Sequence, residues 1–326
     1  METSLCMIGA GKHARSQIYP VFPQLKDTAV IANCDLVRER AVEVGSRFGI
    51  DKHYTDWREM CDTEKPGGVM VCINDRMHAE LAQEIMRAGY HVFVEKPHAD
   101  TLAASRAMLQ TSRETGRICM AAYKKRHAPA YMKARQIMQS QEFGDPCFIS
   151  CYRAVGGNDK KEGGFHWQWG CHVIDVIHWF LGPVKQLQVF KNSGDYRATS
   201  VNLEFVSGAC GTLTLASPGG NWEEVTVLGR GMNAVKVKDG WICTAYRGND
   251  PCDGYTPSFA SSGNGSELMG FLGELQAFAD ACGSGIAPDG SIKQVTHTSA
   301  IHEAIVKAVE SGKVEKVDRA NGEGEQ

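Results

Sequence analysis

The stretch LCMIGAGKHA, residues 5–14, decides the fold of this chain. It joins a short apolar run to two glycines and a small residue in the spacing Gly9-x-Gly11-x-x-Ala14. The apolar run predicts a buried strand, and the residues after the glycines predict a helical stretch. At such a junction the first glycine permits a tight turn, and the second lets the backbone approach a pyrophosphate. Alone, the stretch indicates a phosphate-binding turn at the N-terminus of a helix.

A carboxylate about 20 residues further on makes the motif more specific. Asp35 ends the next apolar run, VIANCD, where dinucleotide-binding domains place the acid that hydrogen-bonds the adenosine ribose hydroxyls. Its negative charge would repel a 2′-phosphate, so NAD is favoured over NADP as the cofactor. Arg38 and Arg40 leave some use of NADP open, and the alternative for Asp35 is an ordinary turn residue at a strand end.

The first 122 residues alternate short apolar runs with helical stretches, which predicts β-α-β units and a parallel sheet. Candidate strands are Leu5–Ile8, Ala29–Asn33, Gly68–Ile73, His91–Val94 and Ile118–Ala121. The clearest helix is expected from about Met77 to Ala88, with Gly89 ending it. We therefore predict an NAD-binding Rossmann domain over residues 1–122.

The pattern changes after Pro129. From Gln186 to Lys238 the chain reads as strands joined by Gly, Asn and Asp turns, and several strands alternate apolar with polar residues. This alternation predicts a mostly antiparallel sheet with one covered and one open face. Helices are expected at Ala130–Ser140, Gly170–Leu181, Glu267–Cys282 and Ile292–Ser311. The expected fold class is thus α/β plus α+β, with an open-sheet α+β domain over residues 123–326.

Composition and charge exclude several kinds of protein. The 326 residues are 43% hydrophobic and 22% charged, and the formal net charge of −3 provides no basic surface for nucleic acid or anionic lipid. We expect no transmembrane helix and no signal peptide, because no apolar run is long enough and the N-terminus lacks a basic and then apolar region. The twelve cysteines contain no C-x-x-C pair, which favours reduced core thiols over disulfides or a metal cluster. These patterns predict a cytoplasmic protein.

Two further stretches of the sequence contain motifs, VFVEKP at residues 92–97 and GGFHWQWGCHVID at residues 163–175. They resemble the E-K-P motif and the G-G-x-x-x-D-x-G-x-H segment of the glucose–fructose oxidoreductase/inositol dehydrogenase (Gfo/Idh/MocA) family. Residues 123–129, YKKRHAP, resemble its F-N-x-R-F-x-P passage. Each motif is modest alone, but their order and spacing together are specific.

The resemblance implies an active site in a cleft between the two domains. Lys96 would lie near the nicotinamide and the reacting oxygen, with His172 facing it, and the Lys96–Pro97 peptide is expected to be cis. The resemblance also implies a homodimer or homotetramer formed through the open sheet. We assign cofactor contacts to Gly9, Gly11, Lys12, His13, Asp35, Asn74, His78, Glu95 and Lys96. We assign substrate contacts to Lys96, Arg126, Trp167, Gln168, His172 and Asp175.

Lys96 and His172 are the candidate catalytic residues, because oxidation of a secondary alcohol requires removal of its hydroxyl proton. Lys96 could polarise the oxygen as a cation, or accept the proton once desolvation has made it neutral. Asp175, one helical turn after His172, could orient that imidazole. The ordinary alternatives are a solvated lysine and a partly buried helix-start histidine. His98 stands where the family has Leu or Met, and protonated imidazoles near Lys96 would favour its neutral form.

Two further expectations concern ligands around this site. Trp167 and Trp169 suggest an aromatic surface for a sugar ring, although either could be a core residue. His166 and His178 flank His172 at intervals that do not place metal ligands on one helix face, so we expect no metal. Specificity would depend on loops at residues 156–164 and 248–265.

Gln168 departs from the family, which usually carries Asp there. An amide can hydrogen-bond a sugar hydroxyl but cannot act as a base. The leading hypothesis is an NAD-dependent oxidoreductase that transfers hydride between the nicotinamide and a hydroxyl-bearing carbon of a sugar, polyol or glycoside. The alternative is an NAD-dependent glycosidase that oxidises the sugar transiently, eliminates the aglycone, adds water and re-reduces. A third possibility is a ligand sensor without turnover.

Overall fold

The computed structural model describes residues 2–155, 165–192, 197–217, 220–258 and 265–318. The chain forms two units, Met1–Tyr123 with Phe271–Thr296 and Lys124–Gly270 with His297–Gln326. Each unit is built around one sheet. The two sheets are covered differently, and this difference follows from their sequence patterns.

Six parallel strands form the sheet of the first unit. They are β1 (Thr3–Ile8), β2 (Thr28–Cys34), β3 (His53–Tyr54), β4 (Gly68–Val71), β5 (His91–Val94) and β6 (Cys119–Ala121). Their helices are α1 (Arg38–Phe48), α2 (Trp57–Glu64), α3 (His78–Arg87) and α4 (Leu102–Thr115). The strand order β3-β2-β1-β4-β5-β6 reverses between β1 and β4, the place where open α/β sheets bind ligands. The predicted parallel Rossmann sheet is confirmed.

The central strands are apolar along their whole length because both faces of this sheet are covered. Every residue of β4 is buried, as expected for a strand between helical layers. The helical stretch after the glycine turn is irregular, with a π-helical turn at Ala14–Ile18 and a 3-10 helix at Tyr19–Gln24. Pro20 and Pro23 lack the N–H groups that a regular α-helix would use there.

The second unit contains a nine-stranded mixed sheet. Its strands are β7 (Pro146–Ala154), β8 (Val184–Lys191), β9 (Arg197–Phe205), β10 (Cys210–Ser217), β11 (Trp222–Gly229), β12 (Asn233–Lys238), β13 (Ile242–Arg247), β14 (Asp250–Tyr255) and β15 (Glu315–Lys316). The order is β14-β13-β12-β11-β7-β10-β9-β8-β15, and β7 and β10 form a parallel pair among antiparallel neighbours. The predicted, mostly antiparallel sheet is confirmed.

One face of this second sheet is covered and the other is open. In β10, Leu213 and Leu215 are buried whereas Thr212 and Thr214 are half-buried, the period of two that an amphipathic strand requires. The remaining α-helices among the described residues are α5 (Pro129–Met138), α6 (Cys171–Leu181), α7 (Gly265–Leu268), α8 (Phe271–Ser284) and α9 (Ile292–Ser311).

Helix α8 returns to the first unit, and the division between units then falls within α9. The aromatic ring of Phe278 lies 5.7 Å from that of Phe93, measured between centroids. Gly68 permits this close packing, since a Cβ there would lie 2.5 Å from the Cys282 sulfur. The domain boundary expected from the sequence left α8 in the second domain, whereas in the structure α8 packs against β1.

Three further features of the described residues bear on function: membrane-spanning helices, groups of metal ligands and the protonation of the cysteines. No helix in this part of the chain combines the length and apolar character needed to span a bilayer. None of its His, Cys, Asp and Glu side chains form a group of three or more suited to a metal ion. Burial raises the pKa of the Cys34 and Cys61 thiols to about 12, so these cysteines stay protonated as core residues.

Candidate active site

The glycine turn follows directly after β1. Gly9 has a φ of +106°, and a Cβ at this position would lie 2.0 Å from the Cys72 carbonyl oxygen. A Cβ at Gly11 would meet no described atom within 4 Å. Glycine at position 9 is therefore required by the packing of the protein itself, whereas Gly11 keeps the turn open to a ligand.

Asp35 connects the glycine turn to the end of β2. Its Oδ2 accepts a hydrogen bond from the Ala10 backbone N–H at 2.8 Å, and its Oδ1 accepts one from the Val37 N–H at 2.9 Å. Carboxylate oxygens have further lone pairs, so Asp35 retains acceptor capacity for ribose hydroxyls. The structure thus brings together the glycine turn and the predicted ribose-binding acid.

Glu95 connects the glycine turn to the E-K-P motif. This carboxyl group is only 3% exposed, and its Oε1 lies 3.3 Å from His13 Nε2. Its Oε2 accepts a hydrogen bond from the Lys96 backbone N–H at 3.0 Å. Burial would raise the pKa of Glu95, but the hydrogen bond with His13 and the charges of His13 and Lys96 hold it below its ordinary value. The predicted cofactor residues His13 and Glu95 therefore contact each other.

Asn74 and His78 support the loops beside this motif. Asn74 Oδ1 accepts a hydrogen bond from the Arg76 N–H at 3.1 Å, and so caps the turn before α3. His78 is buried, and its Nδ1 donates to the Pro97 carbonyl at 2.8 Å. Burial lowers the pKa of His78. The Lys96–Pro97 peptide is cis, as expected. Contacts of these side chains with a cofactor stay predictions, as does the contact assigned to Lys12.

In the second unit, the N-terminal half of α6 carries His172 and Asp175, both buried. The Asp175 carboxylate receives two hydrogen bonds of 2.8 Å from the Arg126 guanidinium and one of 3.0 Å from the Thr298 hydroxyl. Two-point pairing of this kind is the strong, geometrically specific form of an ion pair. Arg126 and Asp175 therefore hold α6 in place beneath His172, while direct contact of either residue with substrate stays a prediction.

The aromatic residues before α6 differ in how open they are. Trp167 is 7% exposed, and its indole stacks on the His302 ring with centroids 4.5 Å apart. Trp169 is 42% exposed. Gln168 between them is half-buried. Of the two indoles, Trp169 is thus the more accessible, and its contact with a sugar ring stays a prediction. The glycines at 163 and 164, and the specificity loop at 156–164, lie outside the described residues, as does part of the loop at 248–265.

A buried charge cluster in the second unit was not predicted. Glu223 is 5% exposed and accepts hydrogen bonds from Lys125, from Arg153 and, at 2.5 Å, from the Tyr131 hydroxyl. Burial would raise the pKa of Glu223, but the charges of Lys125 and Arg153 and these hydrogen bonds lower it to about 2. Lys125 and Glu223 are 98 residues apart in the chain, so no local pattern could have revealed their pairing.

Two family models match the chain. Residues 4–123 match a model described as "Oxidoreductase family, NAD-binding Rossmann fold", and residues 131–232 match the GFO/IDH/MocA C-terminal domain. The first unit therefore carries an NAD-binding Rossmann domain. Together with the open-sheet unit, these matches agree in order with the motifs of the sequence.

Individual proteins similar to this chain are more distant. It is 25% identical to inositol 2-dehydrogenase of Salmonella typhimurium over 179 residues, which cover 54% of this chain and 53% of that protein. It is 26% identical to scyllo-inositol 2-dehydrogenase (NAD(+)) of Bacillus subtilis over 212 residues, which cover 60% of this chain and 62% of that protein. The chain thus spans little more than half the length of these curated relatives.

A solved structure extends the likeness to the whole fold. The crystal structure of a dehydrogenase from Chromobacterium violaceum superposes with a TM-score of 0.87. The match covers 95% of this chain and 96% of the other at 20% sequence identity. At that identity the likeness shows that the two proteins share a fold.

Proposed function

We propose that this chain, which belongs to the Gfo/Idh/MocA oxidoreductase family, transfers a hydride between NAD and a hydroxyl-bearing carbon of a sugar, polyol or glycoside. The observation that carries this proposal is Glu95, which joins the NAD-binding turn through His13 to the backbone of Lys96. A cationic side chain is thereby attached directly to the cofactor-binding structure. The names of two relatives, both inositol dehydrogenases, support a polyhydroxylated substrate.

Each residue has a separate task in this proposal. NAD, when bound, supplies the ring that accepts or returns the hydride. The N–H groups around Gly11 bind the pyrophosphate, and Asp35 binds the ribose hydroxyls. Lys96 donates a hydrogen bond to the reacting oxygen and, with His172, transfers the hydroxyl proton. Arg126 and Asp175 hold the helix that carries His172.

We further propose a preference for NAD over NADP. Asp35 presents a negative charge at the ribose position, and Leu36, directly after it, is exposed and apolar. Arg38, the nearest cation in the sequence, donates from its guanidinium to the His53 carbonyl at 3.2 Å. A 2′-phosphate would therefore meet the negative charge of the Asp35 carboxylate.

Gln168 favours a second candidate function, an NAD-dependent glycosidase. Its amide stands where related dehydrogenases carry a carboxylate and cannot act as a base. A cycle of oxidation, elimination, water addition and re-reduction returns the cofactor to its starting state. Such an enzyme would release aglycone without net formation of NADH.

The test is to purify the protein without added cofactor, identify any nicotinamide that remains bound, and supply inositols, sugars and aryl glycosides in turn. Growth of NADH absorbance supports the oxidoreductase. Aglycone release without NADH supports the glycosidase. Binding of NAD with neither product would contradict both and indicate a sensor.

Variants of the two proposed catalytic residues test the assignment of the site. Lys96→Ala and His172→Ala should each lower turnover by about 100-fold to 10,000-fold, the range typical of a lost proton-transfer group. NAD binding, followed by fluorescence titration, should persist in both. Full turnover in both variants would remove Lys96 and His172 from the mechanism.

We also propose that the protein assembles as a homodimer or homotetramer through the open face of the second sheet. This face carries large side chains that a monomer would leave in water, among them Tyr152, Trp222 and Leu228. Exposed aromatic and aliphatic side chains of this size on one sheet face are those that an interface between chains would cover. A cytoplasmic location is proposed from the buried, protonated cysteines, which suit a reducing compartment.

A further inference from the structure

His98 comes directly after the E-K-P motif and is 0% exposed. Both ring nitrogens have hydrogen-bond partners, with Nδ1 3.1 Å from the Tyr123 hydroxyl and Nε2 2.8 Å from the Ser105 hydroxyl. A polar ring can be buried this deeply only when such partners replace water. The residue that stands in place of the family's Leu or Met is therefore a hydrogen-bonding group.

The direction of each hydrogen bond in this chain of side chains can be worked out from its far end. The Thr296 hydroxyl donates to the Ile292 carbonyl at 2.7 Å, and so accepts from the Ser105 hydroxyl at 3.2 Å. Ser105, having used its own proton, must accept from His98 Nε2–H. The neutral ring then accepts at Nδ1 from the Tyr123 hydroxyl. One tautomer of His98 satisfies the whole chain.

His98 stays neutral at working pH. Burial lowers its pKa to about 3, and the charge of nearby His78 adds to the effect. The sequence suggested that protonated imidazoles near Lys96 would favour its neutral form, and His98 does not supply such a charge. Its contribution is the fixed geometry of a neutral donor and acceptor.

The chain of hydrogen bonds that runs through His98 reaches several elements of the first unit. Ser105 lies on α4, Thr296 on α9, and Tyr123 follows β6. On the other side of His98, the Pro97 carbonyl accepts from His78, which begins α3. The backbone on the C-terminal side of Lys96 is thus held at two consecutive residues.

We propose that His98 is a positioning residue for Lys96. Its ring, held by Tyr123 and Ser105, fixes the backbone after Lys96 so that the ammonium group meets the reacting oxygen. This role rests on the proposed function of Lys96. The side chain of His98 itself touches neither cofactor nor substrate in this arrangement.

His98→Leu tests the role in the full-length enzyme, with His91→Leu as the matched control. His91 lies at the opposite end of β5, where its Nδ1 accepts a hydrogen bond from the Ile118 N–H at 2.9 Å. His98→Leu should lower kcat about 10- to 100-fold, as displacement of a reacting group does, with KM for NAD within about twofold of the original enzyme. His91→Leu should leave kcat unchanged. An unchanged kcat in folded His98→Leu protein would overturn the proposal.

Variants of the partners keep the test decisive where His98→Leu does not fold. Tyr123→Phe and Ser105→Ala each remove one hydroxyl and leave the imidazole in place. Each should lower kcat at constant KM for NAD. A loss of activity that only follows the fraction of unfolded protein would show a purely structural role and overturn the proposal.

A measurement on Lys96 itself separates this inference from the proposed function. Reductive methylation followed by mass spectrometry reports the reactivity of Lys96 without any turnover, and exposed Lys26 serves as the internal reference. If the backbone loosens in His98→Leu, the rate of methylation at Lys96 should rise about threefold or more relative to the rate at Lys26. An unchanged ratio overturns the positioning role. Turnover retained by Lys96→Ala overturns the proposed function instead.

Discussion

Tyr19 lies fully buried beneath the glycine turn, and its hydroxyl donates to the Gly9 carbonyl at 3.3 Å. Asn33 donates to the same hydroxyl at 3.2 Å and to the Ala41 carbonyl at 2.9 Å, which connects the turn to α1. On its other side, the Gly9 N–H donates to the Cys34 carbonyl at 2.8 Å. The geometry of the NAD-binding turn is therefore set from beneath by side chains that do not belong to the glycine motif.

Tyr19→Phe should weaken NAD binding while preserving the fold. The variant loses two buried hydrogen bonds, the one from the hydroxyl to the Gly9 carbonyl and the one from Asn33 to the hydroxyl. Each costs about 1 kcal/mol, so Kd should rise roughly 5- to 30-fold if the turn relaxes. Tyr54→Phe is the control, because the Tyr54 hydroxyl bonds Glu64 at 2.6 Å. Titration with NAD should separate the two variants, and equal Kd values would argue against this role of Tyr19.

Glu223 makes stability depend on pH in the acid range. Its pKa is about 2 in the folded protein and near 4.5 when unfolded, so folding favours the ionised form. The contribution, about 3 kcal/mol, is complete above pH 4.5 and is lost as the pH falls towards 2. Urea unfolding at pH 7 and at pH 3 should show that the original protein loses about 2 kcal/mol more stability over this range than Glu223→Gln does.

The same substitution has a cost at neutral pH. Glu223→Gln leaves Lys125 and Arg153 without their carboxylate, and removing one partner of a buried pair costs about 3–5 kcal/mol. Glu224→Gln is the matched control on the neighbouring residue, where Glu224 pairs with Lys236 at 3.2 Å on the open face. That exposed pair should contribute less than about 1 kcal/mol to the free energy of unfolding. Similar losses in both variants would contradict the burial argument.

At the level of elements, one carboxylate joins three parts of the second unit. Asp175 on α6 receives hydrogen bonds from Arg126, in the 3-10 turn Lys124–His127, and from Thr298 on α9. Because α6 also carries His172, the same contacts that stabilise the unit determine where the proposed catalytic histidine lies. Stability and activity should therefore change together here.

Removing charge from this junction should cost more than removing the hydroxyl. Asp175→Asn leaves the buried Arg126 guanidinium without a counter-charge. The free energy of unfolding should therefore fall by about 3–5 kcal/mol. Thr298→Val keeps the shape of the side chain and removes one hydrogen bond, so the free energy of unfolding should fall by about 1 kcal/mol. Chemical denaturation measures both, and equal losses would show that the ion pair is not the main contributor.

At the level of the whole molecule, the two sheets have opposite relations to their surroundings. The parallel sheet is covered on both faces, whereas the nine-stranded sheet leaves one face of Thr, Ser and aromatic side chains open. Trp222, 61% exposed, and Tyr152 lie on this open face. Such a surface is consistent with the proposed assembly of identical chains.

A charge placed at the centre of the open face should prevent that assembly. Thr226→Arg introduces a cation on β11, and association would require two such cations to be buried together. Sedimentation equilibrium should show a dimer or tetramer for the original protein and a monomer for the variant. A control substitution in the first unit, Arg87→Lys, should leave the mass of the sedimenting assembly unchanged. An original protein that sediments as a monomer would contradict the proposal.

Local patterns were sufficient wherever a feature depends on neighbouring residues. The glycine turn, the apolar strands β4 and β5, and the acid at the end of β2 could all be identified from order and spacing. The end of α3 before Gly89 also followed from residue type. The irregular helix after Ala14 was less obvious, because Pro20 and Pro23 act after a start that is otherwise favourable.

The sequence by itself determined the fold class, the NAD-binding turn and the identity of the E-K-P lysine, because each depends on contiguous residues whose backbone preferences and hydrophobic period are local. Only the tertiary structure decided which buried groups are paired. It brought His98 to Tyr123 and Ser105, Glu223 to Lys125, and α8 to β1. Except for Ser105, which is seven residues from His98, those partners lie far apart in the chain. A polar group reveals its role only once burial has removed water and a particular neighbour has replaced it.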